Sequence, residues 1–150
     1  MKITYKGDYA LKAMLELAVN YNKGVLSISE LAKRGDTPDK FLEQVLLSLK
    51  KGGLVESKRG ISGGYFLARP PEKITVGEVI RFIEGSIQPI ACCGMEKYEE
   101  CKDFKHCVFR DLWDQVYSAT SLVIDTVTFA ELVRRINTNK KKDQSYSYSI

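Results

Sequence analysis

Residues 92–107, CCGMEKYEECKDFKHC, contain every cysteine and the only histidine of the 150-residue chain. Charged residues surround these side chains, so packing in a hydrophobic core does not explain why they cluster. Thiolates are soft ligands for iron–sulfur clusters and zinc, and they are also the reactive form of cysteine in redox chemistry. The stretch therefore predicts an iron–sulfur site, a zinc site or a group of redox thiols. The residues concerned are Cys92, Cys93, Cys101, His106 and Cys107.

The arrangement of the thiols favours an iron–sulfur cluster over zinc. Cys92 and Cys93 are adjacent and would make an awkward pair of tetrahedral ligands, and the C-x2-C spacing of zinc knuckles is absent. Nearby Lys97, Lys102 and Lys105 would favour the charged thiolate form. A four-cysteine zinc site and redox thiols without a metal remain the alternatives.

The rest of the chain lacks the features of an enzyme, a secreted protein or a membrane protein. Charges interrupt the first residues, MKITYKGDYALKAM, and no apolar run reaches the length of a membrane span. A cytoplasmic protein with reduced thiols is therefore predicted. His106 stands beside Cys107 without a third residue to orient it, and Gly63-Gly64 lacks the Lys-Ser/Thr of a phosphate-binding loop. No enzyme activity is predicted.

The elements that must position this loop begin with three predicted helices. The first ends at residues 22–24, and Ser27 with Glu30 forms a capping box that opens the second. Thr37 as N-cap and Pro38 at the first helical position begin the third. The first helix carries apolar residues at 3.6-residue spacing, namely Ala10, Ala13, Met14, Leu17, Ala18 and Tyr21.

The third helix is predicted to have one apolar and one polar face. A helix that points Gln, Glu and Lys outward could read base edges and phosphates in a major groove, although an ordinary solvated face has the same composition. The apolar arc comprises Phe41, Leu42, Val45, Leu46 and Leu49, and the outward face comprises Lys40, Glu43, Gln44, Leu47 and Lys51.

A β-hairpin with a basic tip is predicted next. Residues 54–58 and 65–68 flank a glycine-rich turn that holds Arg59. Two short helices followed by such a hairpin make a winged helix-turn-helix. Between residues 33 and 69 eight basic residues oppose four acidic ones, a surplus equal to the net charge of +4 of the whole chain. This concentration of positive charge favours DNA binding over a merely solvated helix face.

The second half of the chain predicts three more helices. Thr75 and Glu78 form another capping box, and Thr128 opens a short helix that ends at about Ile136. Between them a long helix from Val108 carries an apolar stripe, which predicts the seam of an antiparallel dimer; packing against its own domain is the alternative. The stripe comprises Phe109, Leu112, Trp113, Val116, Thr120, Val123 and Ile124.

The predicted fold is therefore mainly α with a small β-hairpin, in which a winged helix-turn-helix domain precedes a long dimerisation helix. Its parts are the DNA-binding domain at residues 1–85, the cysteine-rich loop at 86–107, the dimerisation and short terminal helices at 108–137, and a polar tail at 138–150 that is predicted to be disordered.

Five segments carry a resemblance to a known family: KGDYALKAMLELA, FLEQVLLSLKKGGLVESKRGISGGYFLARP, ITVGEVIRFIEG, the cysteine loop and TFAELV. On these segments the chain, from residue 1 to about 136, resembles the IscR/NsrR family of bacterial winged-helix regulators. The resemblance implies a homodimer crossed through the long helix, a DNA operator as partner, and an iron–sulfur cluster of the two-iron or four-iron type. It also implies a regulator, a repressor in our interpretation, that senses redox state, cluster supply or nitric oxide. Some relatives lack the cysteines and work without a cluster.

The resemblance also assigns roles in DNA recognition. It implies that Lys40, Glu43 and Gln44 face the major groove, while Arg59 reaches the adjacent minor groove. Lys51 and Lys58 complete the predicted DNA-binding set.

Three cysteine ligands are implied in the loop. Cys93, Cys101 and Cys107 are separated by seven and five residues, whereas relatives often have five in both gaps. A loop tolerates the longer first gap cheaply. Cys92 is the alternative first ligand.

A fourth ligand is missing from the loop. Arg110 stands where some relatives place a coordinating histidine, and His106 does not match that position. In other relatives an aspartate in the first helix of the partner subunit completes the site, and Asp8 matches it. An early-helix aspartate is also explained by the helix dipole alone. Asp8 from the partner subunit is the predicted fourth ligand, with His106 as an alternative.

Overall fold

The structure, a computed structural model, describes residues 2–93 and 106–147, with side chains described as far as residue 140. It consists of six α-helices, one two-stranded hairpin and a 3-10 turn at Pro71–Lys73 within those residues. The elements are α1 (Tyr5–Val19), α2 (Ile28–Gly35), α3 (Asp39–Lys51), β1 (Val55–Lys58), β2 (Gly64–Leu67), α4 (Val76–Glu84), α5 (Arg110–Thr126) and α6 (Phe129–Ser147).

Helix α1 lies at the centre of the hydrophobic core and packs against α2, α3, α4 and α6. Its apolar stripe faces inward as predicted: Ala10, Met14 and Leu17 are buried, and Ala13 and Ala18 extend the same face. Leu46 and Phe129, from α3 and α6, fill the core opposite it. The 3.6-residue pattern therefore identified the face that holds the domain together.

The hairpin is antiparallel and pairs Val55 with Leu67 and Lys58 with Gly64. The loop before α2 adds a bridge, because Leu26 and Tyr65 exchange two backbone hydrogen bonds of 3.0 and 2.8 Å. A Cβ atom at Gly64 would lie 2.5 Å from the Leu26 carbonyl oxygen, so this approach requires glycine. The predicted hairpin is confirmed, and its base is fixed to the helical core.

Capping differs from the prediction in two places. The box at Ser27 and Glu30 is complete, with both reciprocal hydrogen bonds present. Thr37, however, is not the N-cap of α3: the cap is Pro38, and the Thr37 hydroxyl donates instead to the Gly35 carbonyl oxygen at 3.1 Å. Thr75 accepts a hydrogen bond from the Glu78 N–H as predicted. The Glu78 carboxylate, however, accepts from the Arg69 guanidinium and not from the Thr75 N–H, so the second capping box is only half formed.

Helix α5 is fixed to α4 by a polar bridge. The Arg81 guanidinium binds both carboxylate oxygens of Asp125 and donates to the Ser121 hydroxyl at 3.2 Å. Because Asp125 accepts this hydrogen bond, the pKa of Arg81 is raised. Gly77 lies directly under the bridge, where any Cβ atom would overlap the Asp125 carboxylate. The start of the long helix is Arg110, two residues later than predicted.

The last helix is longer than predicted. Helix α6 continues to Ser147, so the predicted end at about Ile136 and the predicted disorder of residues 138–147 are wrong; residues 148–150 lie outside the described part of the chain. Of the predicted α5 stripe, Ile124 is buried against the domain, whereas Phe109, Leu112 and Val123 are exposed. Among the helices described, none is long and apolar enough to cross a membrane.

Candidate nucleic-acid interface and cysteine site

Helix α3 presents the predicted polar face to solvent. Lys40, Glu43, Gln44, Leu47 and Lys51 are all exposed. The opposite side of the helix is buried at Leu42, Val45, Leu46 and Leu49. The amphipathic division of this helix is therefore confirmed, except at one residue.

That residue is Phe41, which was assigned to the apolar arc but is 63% exposed. Its ring lies against Tyr9 of α1, with ring centroids 6.4 Å apart, and Tyr9 in turn lies 6.3 Å from Tyr5. A helical wheel of α3 cannot show this, because the ring turns toward the start of α1 rather than into the core. The i, i+4 spacing of Tyr5 and Tyr9 was the available signal.

The aromatic row forms one wall of an open trough between α1 and α3, with a volume of about 830 Å³. We call this the α1–α3 trough. Its lining includes Lys6 from α1 and Lys40 and Gln44 from α3. The predictions from sequence singled out Lys40 and Gln44 but missed the contribution of α1.

The wing presents Lys58 and Arg59 as predicted, and both are exposed. Gly60 adopts a φ of +111°, and a Cβ atom at Gly63 would lie 2.3 Å from the Lys58 carbonyl oxygen, so the turn that carries Arg59 depends on glycine. Ile61 next to it is fully exposed, an apolar tip that the sequence reasoning did not identify. The basic turn is thus held in a tight, fixed loop beside α3.

Two of the predicted thiol residues adjoin the N-terminal part of α5. Cys93 is 2% exposed, and its Sγ lies 3.3 Å from the Trp113 carbonyl oxygen and 3.4 Å from Asp114 Oδ1. Cys107 is half-buried and lies three residues before the start of α5, where its carbonyl oxygen accepts the Arg110 N–H at 3.3 Å. Residues 93 and 107 therefore both adjoin the N-terminal part of one helix.

The remaining predicted ligands of the loop are Cys92, Cys101 and His106. Cys92 is half-buried, His106 is exposed, and Cys101 lies outside the described residues. Within the part of the chain that is described, no three His, Cys, Asp or Glu side chains converge as a metal site would require.

Asp8 lies on the first turn of α1 and is about half exposed. Its carboxylate pairs with Lys12 Nζ at 2.8 Å, and this hydrogen bond raises the pKa of Lys12. The Lys12 ammonium also lies 5.9 Å from the centre of the Tyr9 ring. Arg110, at the position of the alternative ligand, is directed to Asp114, with Nε 3.9 Å from Oδ2.

Comparison with known proteins identifies the family. A model of the Rrf2 family, described as iron-dependent transcriptional regulators, matches residues 3–135. The chain belongs to the Rrf2 family. It is 37% identical to the HTH-type transcriptional regulator CymR of Bacillus subtilis, across 88% of this chain and 89% of that one. It is 35% identical to the regulator IscR of Aliivibrio salmonicida, across 89% of this chain and 77% of that one.

Solved structures agree with this assignment. CymR of B. subtilis, titled the global cysteine regulator, superposes with a TM-score of 0.76 and 36% identity over 90% of this chain and 98% of that one. IscR of T. potens gives a TM-score of 0.72 and 32% identity over 91% and 88%. The predicted winged-helix fold and the predicted absence of enzyme activity are confirmed, since the Rrf2 proteins are transcription regulators that bind DNA.

Proposed function

We propose that this Rrf2 protein is a dimeric, iron–sulfur-dependent repressor whose cluster senses redox state, cluster supply or nitric oxide. The observation that carries the proposal is that Cys93 contacts the N-terminal part of α5 while the Cys107 backbone bonds the first residue of the same helix. Fourteen positions separate these residues in the chain, and a segment whose two sides adjoin one helix could close around a shared group.

The donor set fits an iron–sulfur cluster of the two-iron or four-iron type. Cys93, Cys101 and Cys107 would supply soft thiolate ligands, and the cluster would supply reversible electron transfer or reaction with a signal molecule. To become a ligand Cys93 must lose its proton, which removes its hydrogen bonds to the Trp113 carbonyl oxygen and the Asp114 carboxylate. Ligation would in this way alter contacts at the beginning of α5.

The dimer is supported by the outer face of α5. Four large apolar residues remain exposed at heptad-like intervals on or just before this helix, which is a larger apolar stripe than a lone helix leaves in water. A second copy of α5 would cover them. The residues are Phe109, Leu112, Val116 and Val123.

Asp8 of the partner subunit is proposed as the fourth ligand. In one chain it lies with Lys12 and not with the described cysteines, so coordination from its own chain has no support in the geometry. A carboxylate is a harder and more easily displaced ligand than a thiolate, which suits a site that exchanges with a signal molecule.

DNA would be read by the exposed face of α3 and the wing. We propose that Lys40, Glu43 and Gln44 face the major groove, that Arg59 reaches the adjacent minor groove, and that positive charge at Lys51 and Lys58 adds to the attraction. The operator would then consist of two half-sites related by the two-fold axis of the dimer.

A second candidate is a regulator of the same family without a cluster, based on zinc or on thiols and acting through a partner protein. The likeness to CymR, titled the global cysteine regulator, favours it. An electron carrier, the third alternative, is not supported, because the relatives are transcription regulators that need a DNA-reading face.

Purification without oxygen, followed by iron, sulfide and zinc analysis, tests the proposal. We expect iron and sulfide in equal amounts together with visible absorption, and loss of both in the Cys101→Ala variant. Zinc at one per chain without sulfide would instead establish the zinc alternative, and protein without any metal would establish the thiol alternative.

A further inference from the structure

The α1–α3 trough adjoins the exposed polar face of α3, and part of its lining comes from α1, which the proposed reading face does not include. Its floor and one wall are apolar, made by Tyr5, Tyr9 and Phe41, while Lys6 and Lys40 line its edge. The two sides come from helices that are distant in sequence but joined by the Tyr9–Phe41 contact. The trough therefore lies between two helices that pack directly against each other.

The walls of the trough are too open to enclose a small molecule. Pockets for small ligands bury most of the ligand surface. Here Tyr5 is 81% exposed and Phe41 is 63% exposed, so a small molecule bound against them would leave much of its own surface in water. The shape suits one length of a larger partner that passes through the trough and continues beyond it.

The charges indicate what kind of partner this is. The two lysines of the trough belong to different helices and lie on its edge, and the nearest acid on α1, Asp8, is already paired with Lys12. Glu43 on α3 belongs to the adjacent polar face and is not part of the lining. A polyanion with apolar segments between its charges would match this combination of cationic edge and apolar floor.

We propose that the α1–α3 trough holds the sugar–phosphate backbone of the operator DNA, beside the groove that α3 reads. Lys6 pairs with a phosphate, the Tyr5 hydroxyl donates to a phosphate oxygen, and the rings of Tyr9 and Phe41 pack against the deoxyribose. Contacts of this kind set the register of a protein on a duplex and carry no sequence information. The proposal rests on the DNA-reading role of α3, because Lys40 and Gln44 line the trough and also belong to the reading face.

The test measures affinity of the full-length protein for a fluorescent duplex operator, obtained by in vitro selection, between about 50 and 200 mM salt. Lys6→Ala should weaken binding several-fold and reduce the salt slope by about one per protomer. The loss should be equal for the operator and for an unrelated duplex, so the ratio between them stays constant. Tyr5→Phe should weaken binding without a change in slope, because it removes only a neutral donor.

Lys23→Ala is the matched control, because Lys23 is an exposed lysine that follows the other end of α1 and donates to the Val19 carbonyl oxygen. It should leave the salt slope unchanged. If Lys6→Ala also leaves the slope unchanged while Arg59→Ala weakens binding, the trough proposal is overturned and the reading face stands. If Lys6→Ala changes the dimerisation constant instead of the salt slope, a protein occupies the trough and the proposal is equally overturned. Absence of binding in the unaltered protein would refute the DNA-reading role itself.

Discussion

The DNA-reading face and the cysteine site differ in how much of each lies within one chain. The reading face is built from adjacent elements, α3 and the β1–β2 turn, and all of its proposed residues are present and exposed in a single protomer. At the cysteine site, Cys93 and Cys107 both adjoin α5, Cys101 lies outside the described residues, and the proposed fourth ligand comes from a partner chain. The reading face is thus assembled from elements that follow one another in one chain, whereas the proposed ligand site is not.

The largest effect on cluster binding should come from substitution of Cys93, for which the adjacent Cys92 supplies the control. Cys93→Ala is expected to abolish the iron–sulfur absorption, because the buried Cys93 Sγ contacts the N-terminal part of α5, the helix that Cys107 also adjoins. Cys92→Ala, the matched control one residue away, should keep the cluster, and thermal melting of both proteins would check their folding. The opposite pattern, with the cluster lost only in Cys92→Ala, would assign the ligand to Cys92.

Mixed dimers test whether the ligand site really extends over two chains. Chains carrying Asp8→Ala would be co-expressed with chains carrying Cys101→Ala under different tags, and cluster content measured per dimer. If Asp8 acts on the partner's cysteines, the mixed dimer keeps one complete site while each parent homodimer loses its cluster or holds it poorly.

Asp39→Ala is the control for these dimers, because Asp39 also lies in the first turn of a helix and shares only the helix-dipole role. A mixed dimer no better than its parents would refute coordination between subunits. A full and stable cluster in the Asp8→Ala homodimer would remove Asp8 from the ligand set altogether.

Arg59→Ala should affect DNA binding strongly and leave the cluster unchanged. Loss of the guanidinium from the wing is expected to reduce operator affinity by about tenfold or more and to lower the salt slope by about one per protomer. Ile61→Ser is a suitable control, because it alters the exposed tip of the same turn without removing charge. An unchanged affinity would mean that the wing does not contact the operator.

Glu43→Ala should have the smallest and most local effect. The carboxylate can accept a hydrogen bond from a cytosine amino group, so its loss should relax discrimination at one base pair by roughly 1–3 kcal/mol. Binding to a panel of operators with single substitutions would locate that base pair. Equal discrimination at every position, in the variant and the unaltered protein, would exclude a reading role for Glu43.

The sequence was most informative where local patterns decide the structure. The buried face of α1, the Ser27–Glu30 box and the hairpin follow from periodicity, capping and glycine content, each of which acts over a few residues. Thr37 and Phe41 were misassigned for different reasons: the Thr37 hydroxyl bonds the Gly35 carbonyl oxygen two residues before it, and the Phe41 ring contacts Tyr9 of another helix. The first is a local competitor of the N-cap hydrogen bond, and the second cannot be predicted from α3 alone.

For the site, residue types predicted the chemistry but not the environment. The spacing of the thiols left Cys92 and Cys93 equivalent, whereas the fold buries Cys93 against α5 and leaves Cys92 half-buried. The aromatic row of α1 and α3 was not predicted, because Phe41 is far along the chain from Tyr5 and Tyr9 and joins them only in the fold. Assignments that depend on contacts between distant elements were thus the ones that required the structure.

The bridge between Arg81 and Asp125 has a consequence for the operator. It links α5 to α4 and thus to the domain that carries α3. In a dimer joined through α5, the two DNA-binding domains would therefore change orientation together with that helix. The distance between the two DNA-binding domains, and hence the number of base pairs between the two half-sites, would then depend on the geometry of the α4–α5 contact. B-DNA turns once in about 10 base pairs, so one inserted base pair would rotate the second half-site about the DNA axis and away from the second DNA-binding domain.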